Sequence, residues 1–212
     1  PIYSPDGKFI AFRAQARAGF ESDRWRLMIY DRTSSTTRSL TESFDRQVES
    51  FQWTPDSKAL FLIAGDEARQ PVFSVDLNGG PVRKVLDSHT NDDLQLSADG
   101  KRLVFSHQNL STPAEIFSAS ADGSRLKALT AMNRELLSQL DLRQPESLGF
   151  TGAAGSKVQT WILKPPNFDP ARKYPLLLAI HGGPQGVWGD AMSYRWSGQV
   201  FASQGYVVLM PN

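Results

Sequence analysis

His181-Gly182-Gly183-Pro184 is the stretch of this sequence whose residue types can do chemistry. Glycine has no Cβ, so the backbone N–H groups of Gly182 and Gly183 can approach a ligand oxygen closely and stabilise negative charge developing on it. That is the chemistry of an oxyanion hole. A Gly-Gly pair is equally suited to a tight turn requiring positive φ, and taken alone the pair leaves both readings open. Cysteine is absent, which excludes disulfides, thiol catalysis and cysteine-ligated metals. The three histidines, His89, His107 and His181, have no metal-ligand spacing, so no metal site is expected.

Several elements must position this turn. Leu176 to Ile180 is an unbroken apolar run entering it, the pattern of a strand buried on both faces of a parallel sheet, where ligands gather at the carboxyl ends of strands. Beyond the turn, Gln185 to Gly189 reads as a loop and Asp190 is placed to cap a helix over Ala191–Gln204. Met192, Trp196 and Val200 would form one face of that helix, and Gly205 would stop it. A second apolar run, Tyr206 to Met210, completes a strand–helix–strand crossover. Upstream, Glu146 to Phe150 and Lys157 to Leu163 flank the turn Gly152-Ala153-Ala154-Gly155 and read as an antiparallel hairpin. Asn133 to Leu142, with Leu136, Leu137, Leu140 and Leu142 among charged residues, reads as containing an amphipathic helical turn or two acting as a hinge.

The first 130 residues follow a different plan. Ser4-Pro5-Asp6-Gly7-Lys8 recurs as Thr54-Pro55-Asp56-Ser57-Lys58 and as Ser97-Ala98-Asp99-Gly100-Lys101, at a spacing of about 45 residues. Each turn leads into an alternating strand (Ile10 and Phe12, Leu60 and Leu62, Leu103 and Phe105), and a second strand follows (Leu27 to Tyr30, Val72 to Val75, Ile116 to Ala119). Four short strands per repeat is the pattern of a β-propeller blade. Three blades cannot close a ring, which takes about four to eight, so further blades are expected N-terminally. His107 is expected at a strand end or loop, and His89, in the polar run Asp87 to Asp93, in a connection between blades. Neither is expected to be catalytic. The segment Gly19 to Arg24 lengthens one hairpin.

The fold expected is therefore a partial β-propeller of about three blades followed by the N-terminal part of an α/β-hydrolase domain. The boundaries are propeller over 1–131, hinge over 132–144 and start of the hydrolase over 145–212. The apolar fraction of 40% suits an ordinary core, and 23 basic against 22 acidic residues leave a net charge of +1 without blocks of one sign. Nucleic acid and anionic membranes are thus not expected partners. No run approaches the roughly 18 apolar residues of a membrane span. Bacterial periplasm and cytoplasm both remain open as compartments, and so does assembly with copies of the same chain.

The run from Lys173 through His181-Gly-Gly-Pro-Gln-Gly-Val-Trp-Gly-Asp190 to Gln204-Gly-Tyr-Val-Val-Leu-Met-Pro-Asn212 is similar to the opening of the hydrolase domain of prolyl oligopeptidase family serine peptidases, in the acylaminoacyl-peptidase and dipeptidyl-peptidase V branch. Trp161-Ile-Leu-Lys-Pro-Pro-Asn-Phe-Asp-Pro170 resembles the same branch, whose propeller also precedes its hydrolase domain. The resemblance implies that Gly183 donates its N–H to the tetrahedral intermediate, with Gly182 beside it. His181 stands where relatives carry an oxyanion-binding tyrosine, so its side chain either shapes the turn or touches substrate. The resemblance further implies short peptide substrates, no cofactor, and a Ser, Asp and His triad. No Gly-x-Ser-x-Gly elbow occurs in the sequence, and the triad residues of such enzymes follow the strand 206–210. None is therefore expected in this chain. The expectation is a piece of a longer serine exopeptidase, with the rest of the same polypeptide as its partner. The alternatives are a carboxylesterase of the same fold, against which the propeller argues, and a non-catalytic binding propeller with a hydrolase remnant.

Overall fold

The computed structural model describes residues 1–183 and 185–212, and Pro184, the last residue of the candidate motif, lies outside the described residues. The chain divides into two compact units. One comprises Pro1–His107 with Ile116–Thr130, the other Gln108–Glu115 with Ala131–Asn212.

Three four-stranded antiparallel sheets follow one another with strands in sequence order, the topology of propeller blades. The first holds β1 (Ile2–Tyr3), β2 (Phe9–Ala14), β3 (Arg26–Asp31) and β4 (Thr36–Ser39). In the second are β5 (Val48–Trp53), β6 (Ala59–Ala64), β7 (Val72–Asp76) and β8 (Arg83–Leu86). The third consists of β9 (Thr90–Leu96), β10 (Arg102–Asn109), β11 (Thr112–Ser120) and β12 (Lys127–Ala128).

Each blade enters its second strand through the same turn. In the first, the Ser4 hydroxyl donates to Asp6 Oδ1 at 2.7 Å and accepts the Phe9 N–H at 3.0 Å, while Asp6 Oδ1 accepts the Lys8 N–H at 3.1 Å. Thr54 with Asp56, and Ser97 with Asp99, repeat the arrangement. Short polar side chains close the turn on their own backbone, which is why Ser/Thr-x-Asp recurs. The fourth position takes positive φ, +71° at Gly7 and Gly100 and +59° at Ser57. The departure from glycine at Ser57 has a local reason: its buried hydroxyl accepts the Asp6 N–H at 3.1 Å, tying one blade's turn to the next.

The middle blade supplies the core. Side chains alternate across a strand, and β6 sends Leu60, Leu62 and Ala64 into a cluster with Ala11, Leu27 and Ile29 of the first blade. Its Phe61 and Ile63 enter a second cluster with Leu94, Leu103 and Phe105 of the third. In β5 the register shifts between Val48 and Ser50, and this bulge brings Val48, Phe51 and Trp53 onto one face despite their uneven spacing.

His107 lies inside β10 and is buried, not at a strand end as the residue pattern suggested. Its Nδ1 is 2.8 Å from Asn91 Oδ1, and its ring stands 5.6 Å from that of His89, which takes φ +43° just before β9. Contact with Asn91 and Phe117 satisfies and covers the imidazole, so the strand continues through it.

In the second unit, α1 (Arg134–Leu137) precedes β13 (Glu146–Thr151) and β14 (Lys157–Leu163), then β15 (Leu176–Leu178), α2 (Gly198–Ser203) and β16 (Val207–Pro211). The strand order is β13-β14-β16-β15, antiparallel except for the β15–β16 pair, which is parallel. This mixed sheet, with a helix joining its parallel pair, is the start of the α/β-hydrolase fold expected from the sequence.

Several local expectations are corrected. The last strand, β16, lies between β14 and β15, with Val208 and Met210 fully enclosed. The apolar run 176–180 is strand only to Leu178 and occupies the edge, so Leu176, Leu178 and Ile180 are exposed. The helix spans 198–203 and not 191–204. Asp190 does not cap it, because its buried carboxylate accepts the Leu110 N–H at 3.0 Å. The face that α2 buries is Gly198, Gln199 and Ala202, while Trp196 and Val200 are exposed. Within 133–142 the helical part is the single turn of α1, and Asn133, which makes no side-chain cap, gives its N–H to Glu115 Oε1.

Candidate functional site

The turn at 181–183 leaves the carboxyl end of β15, where the last sheet bond runs from the Ala179 N–H to the Leu209 carbonyl at 2.8 Å. Gly183 has φ +138°, a conformation essentially confined to glycine. A Cβ there would lie 2.6 Å from the Gly186 nitrogen and 2.7 Å from the Gln185 nitrogen. Gly182 differs: its φ is ordinary and nothing lies within 4 Å of the corresponding position. Gly186 requires glycine because a Cβ there would meet the Gly182 carbonyl and stand 2.9 Å from His181 Nδ1. In the sequence Gly186 is an ordinary member of the loop 185–189.

Gly182 and Gly183 are exposed, and among the described residues neither N–H donates to a protein acceptor. Two adjacent donors at a strand end, the second on backbone held in a shape other residues disfavour, can receive an anionic oxygen. The His181 side chain turns back on the loop, with Nδ1 2.9 Å from the Gly182 carbonyl, a bond that requires the Nδ1–H tautomer. Beside the turn is a cleft of about 600 Å³, lined by Leu177, Ile180, Val187, Trp196, Phe201 and Met210 together with His181 and Gly182.

Gln199 of α2 is the other organising polar residue of this unit, and the apolar periodicity used to find the helix passed over it. It is buried, its Nε2 donates to the carbonyls of Arg143 at 2.7 Å and Leu110 at 3.2 Å, and its Oε1 accepts the Arg143 N–H at 2.9 Å. The Ser111 hydroxyl also donates to the Arg143 carbonyl at 2.6 Å. Gln199 and Asp190 thereby hold segment 108–111 and the approach to β13 against the helix that follows the candidate turn. Among the described residues no group of three or more His, Cys, Asp or Glu side chains is placed to hold a metal ion.

Three propeller-type blades are followed in the chain by a mixed sheet with a helix-linked parallel pair and a His-Gly-Gly turn at the strand end, and the resemblance to prolyl oligopeptidase family peptidases read from the residues is met by relatives that match along the whole chain. No family model matches it. Its sequence is similar to dipeptidyl-peptidase 5 of Porphyromonas gingivalis, 31% identical over 212 residues, covering 100% of this chain and 31% of that protein. It is likewise similar to dipeptidyl-peptidase 5 of Trichophyton schoenleinii, 34% identical over 218 residues, covering 100% of this chain and 30% of the relative. The chain thus spans about a third of the length of these relatives. Among solved structures, its fold is similar to Pyrococcus horikoshii acylaminoacyl peptidase, with TM-score 0.80 and 22% identity over 98% of this chain and 31% of that one. Porphyromonas gingivalis dipeptidyl peptidase 4 gives TM-score 0.70 at 22% identity over 96% of this chain and 29% of the other.

Proposed function

We propose that this chain belongs to a longer serine peptidase that removes dipeptides from the N-termini of short peptides, and that Gly183, with Gly182 beside it, supplies backbone donors to its oxyanion hole. The observation that carries the reading is the match to dipeptidyl-peptidase 5, which extends over the entire chain at 31–34% identity. Release of N-acylated residues is the variant suggested by the acylaminoacyl peptidase fold neighbour, whose lower identity bears on fold alone.

In this reading residues 1–131 contribute blades that restrict entry to short peptides, 132–144 join them to the peptidase domain, and 145–212 begin that domain. A serine hydroxyl elsewhere in the polypeptide adds to the scissile carbonyl while a histidine takes its proton. The carbonyl oxygen gains negative charge, and the Gly183 N–H donates to it. The imidazole then returns the proton to the leaving amine, and water releases the acyl-enzyme by the same steps. His181 has the turn-shaping role, since its Nδ1 bonds within the loop.

Full-length protein assayed with a dipeptidyl and an N-acetyl-aminoacyl chromogenic substrate tests the proposal. Faster release from the dipeptidyl substrate is expected. Activity on neither, or an elbow serine absent from the full sequence, would favour a binding propeller instead.

A further inference from the structure

The loop between β15 and α2 holds three glycines between residues 181 and 188, yet an oxyanion donor must keep its position to within a fraction of an ångström. Something outside the loop has to hold it. Trp188 closes it: the indole Nε1 donates to the Ala179 carbonyl at 3.0 Å, joining the far end of the loop to the end of β15. The Trp188 peptide is itself gripped on both sides by one amide side chain. Its N–H donates to Asn212 Oδ1 at 2.5 Å, and its carbonyl accepts from Asn212 Nδ2 at 3.3 Å and from Trp161 Nε1 at 2.8 Å. Asn212 is anchored in turn, its Nδ2 donating to Gln159 Oε1 at 2.5 Å and its N–H to the Gln159 carbonyl at 2.8 Å.

We propose that Asn212 and Trp188 are positioning residues for the Gly183 N–H, acting by clamping both ends of the 179–188 loop to β14 and β16. The inference rests on the peptidase reading above. An amide is the side chain that suits position 212, because it both accepts from an N–H and donates to a carbonyl of the same residue; aspartate keeps the acceptor and loses the donor. Indole at 188 spans the loop with a donor that phenylalanine lacks.

The test is made in the full-length protein with Asn212→Ala, Asn212→Asp and Trp188→Phe, reading kcat and KM on the dipeptidyl substrate, affinity for a dipeptide boronic acid, affinity for the product dipeptide, and amide hydrogen exchange over 181–187. Expected is a fall of about 10- to 100-fold in kcat for Asn212→Ala at unchanged KM, a parallel loss of boronate affinity with product affinity retained, and faster exchange in the loop alone. Asn212→Asp and Trp188→Phe should fall between wild type and Asn212→Ala. Unchanged kcat with unchanged exchange overturns the inference, as does a kcat loss that product affinity and global stability share. If the wild-type enzyme cleaves neither substrate, the peptidase reading fails and the catalytic role falls with it. Loop exchange in the same variants then reports separately whether the clamp exists.

Discussion

At the scale of single residues, adjacent glycines in the candidate turn are not equivalent. Gly183 sits at φ +138° with backbone atoms 2.6 Å from where a Cβ would be, whereas Gly182 has open space there. Gly183→Ala must therefore rotate the peptide that carries the proposed donor, and Gly182→Ala need not. In the full-length enzyme Gly183→Ala is expected to lower kcat/KM by about 100- to 1,000-fold, the usual cost of removing one oxyanion donor, with Gly182→Ala within a few-fold of wild type. Steady-state kinetics on the dipeptidyl substrate check this, and equal damage from both substitutions would remove the distinction drawn between them. Ser57 shows the same economy in the propeller, since it accepts an αL conformation and in return bonds a neighbouring blade.

The repeated blade turn is the element with a titratable component. Hydroxyl hydrogen bonds from Ser4, Thr54 and Ser97, followed by backbone N–H bonds from Lys8, Lys58 and Lys101, hold the carboxyls of Asp6, Asp56 and Asp99 below the ordinary aspartate value. A carboxyl depressed in the folded state stabilises it above the unfolded pKa, and that stabilisation is lost as pH falls through the folded pKa. The propeller is accordingly expected to lose stability below about pH 4, near the unfolded aspartate value. Replacing all three aspartates by asparagine should flatten the acid limb of a Tm-against-pH curve. An acid limb as steep in the triple variant as in wild type would assign the loss to other carboxylates.

Across the whole molecule, the propeller's two apolar clusters meet at one strand. Leu62 and Ile63 are adjacent, both fully buried, and point to opposite faces of the middle blade. Leu62→Ala opens the cluster shared with the first blade and Ile63→Ala the one shared with the third. Each is expected to cost about 2–5 kcal/mol, while Leu136→Ala at an exposed site of the second unit stays within about 0.5 kcal/mol. Pulse proteolysis of the full-length protein in urea would measure all three. Sensitivity to Leu62→Ala alone would mean that the third blade is not coupled to the other two through β6.

What the sequence by itself determined follows from interactions that span a few residues. Ser/Thr-x-Asp turns close on groups two to five positions away, strand alternation repeats every second residue, and Gly205 ends its helix at φ +91°. All of these were legible without a structure, as was the position of the His-Gly-Gly turn at the end of an apolar run. Only the tertiary structure decided the rest. An apolar run reads as buried whether or not neighbours cover it, and β15 is exposed because sheet order puts β16 between it and β14. Asp190 looks like a helix cap until the Leu110 N–H, 80 residues away, is brought to its carboxylate. Gln199 and Asn212 are ordinary polar residues in the sequence. They become the fasteners of α2 and of the candidate turn because folding brings to them backbone groups from 56 and 24 residues away.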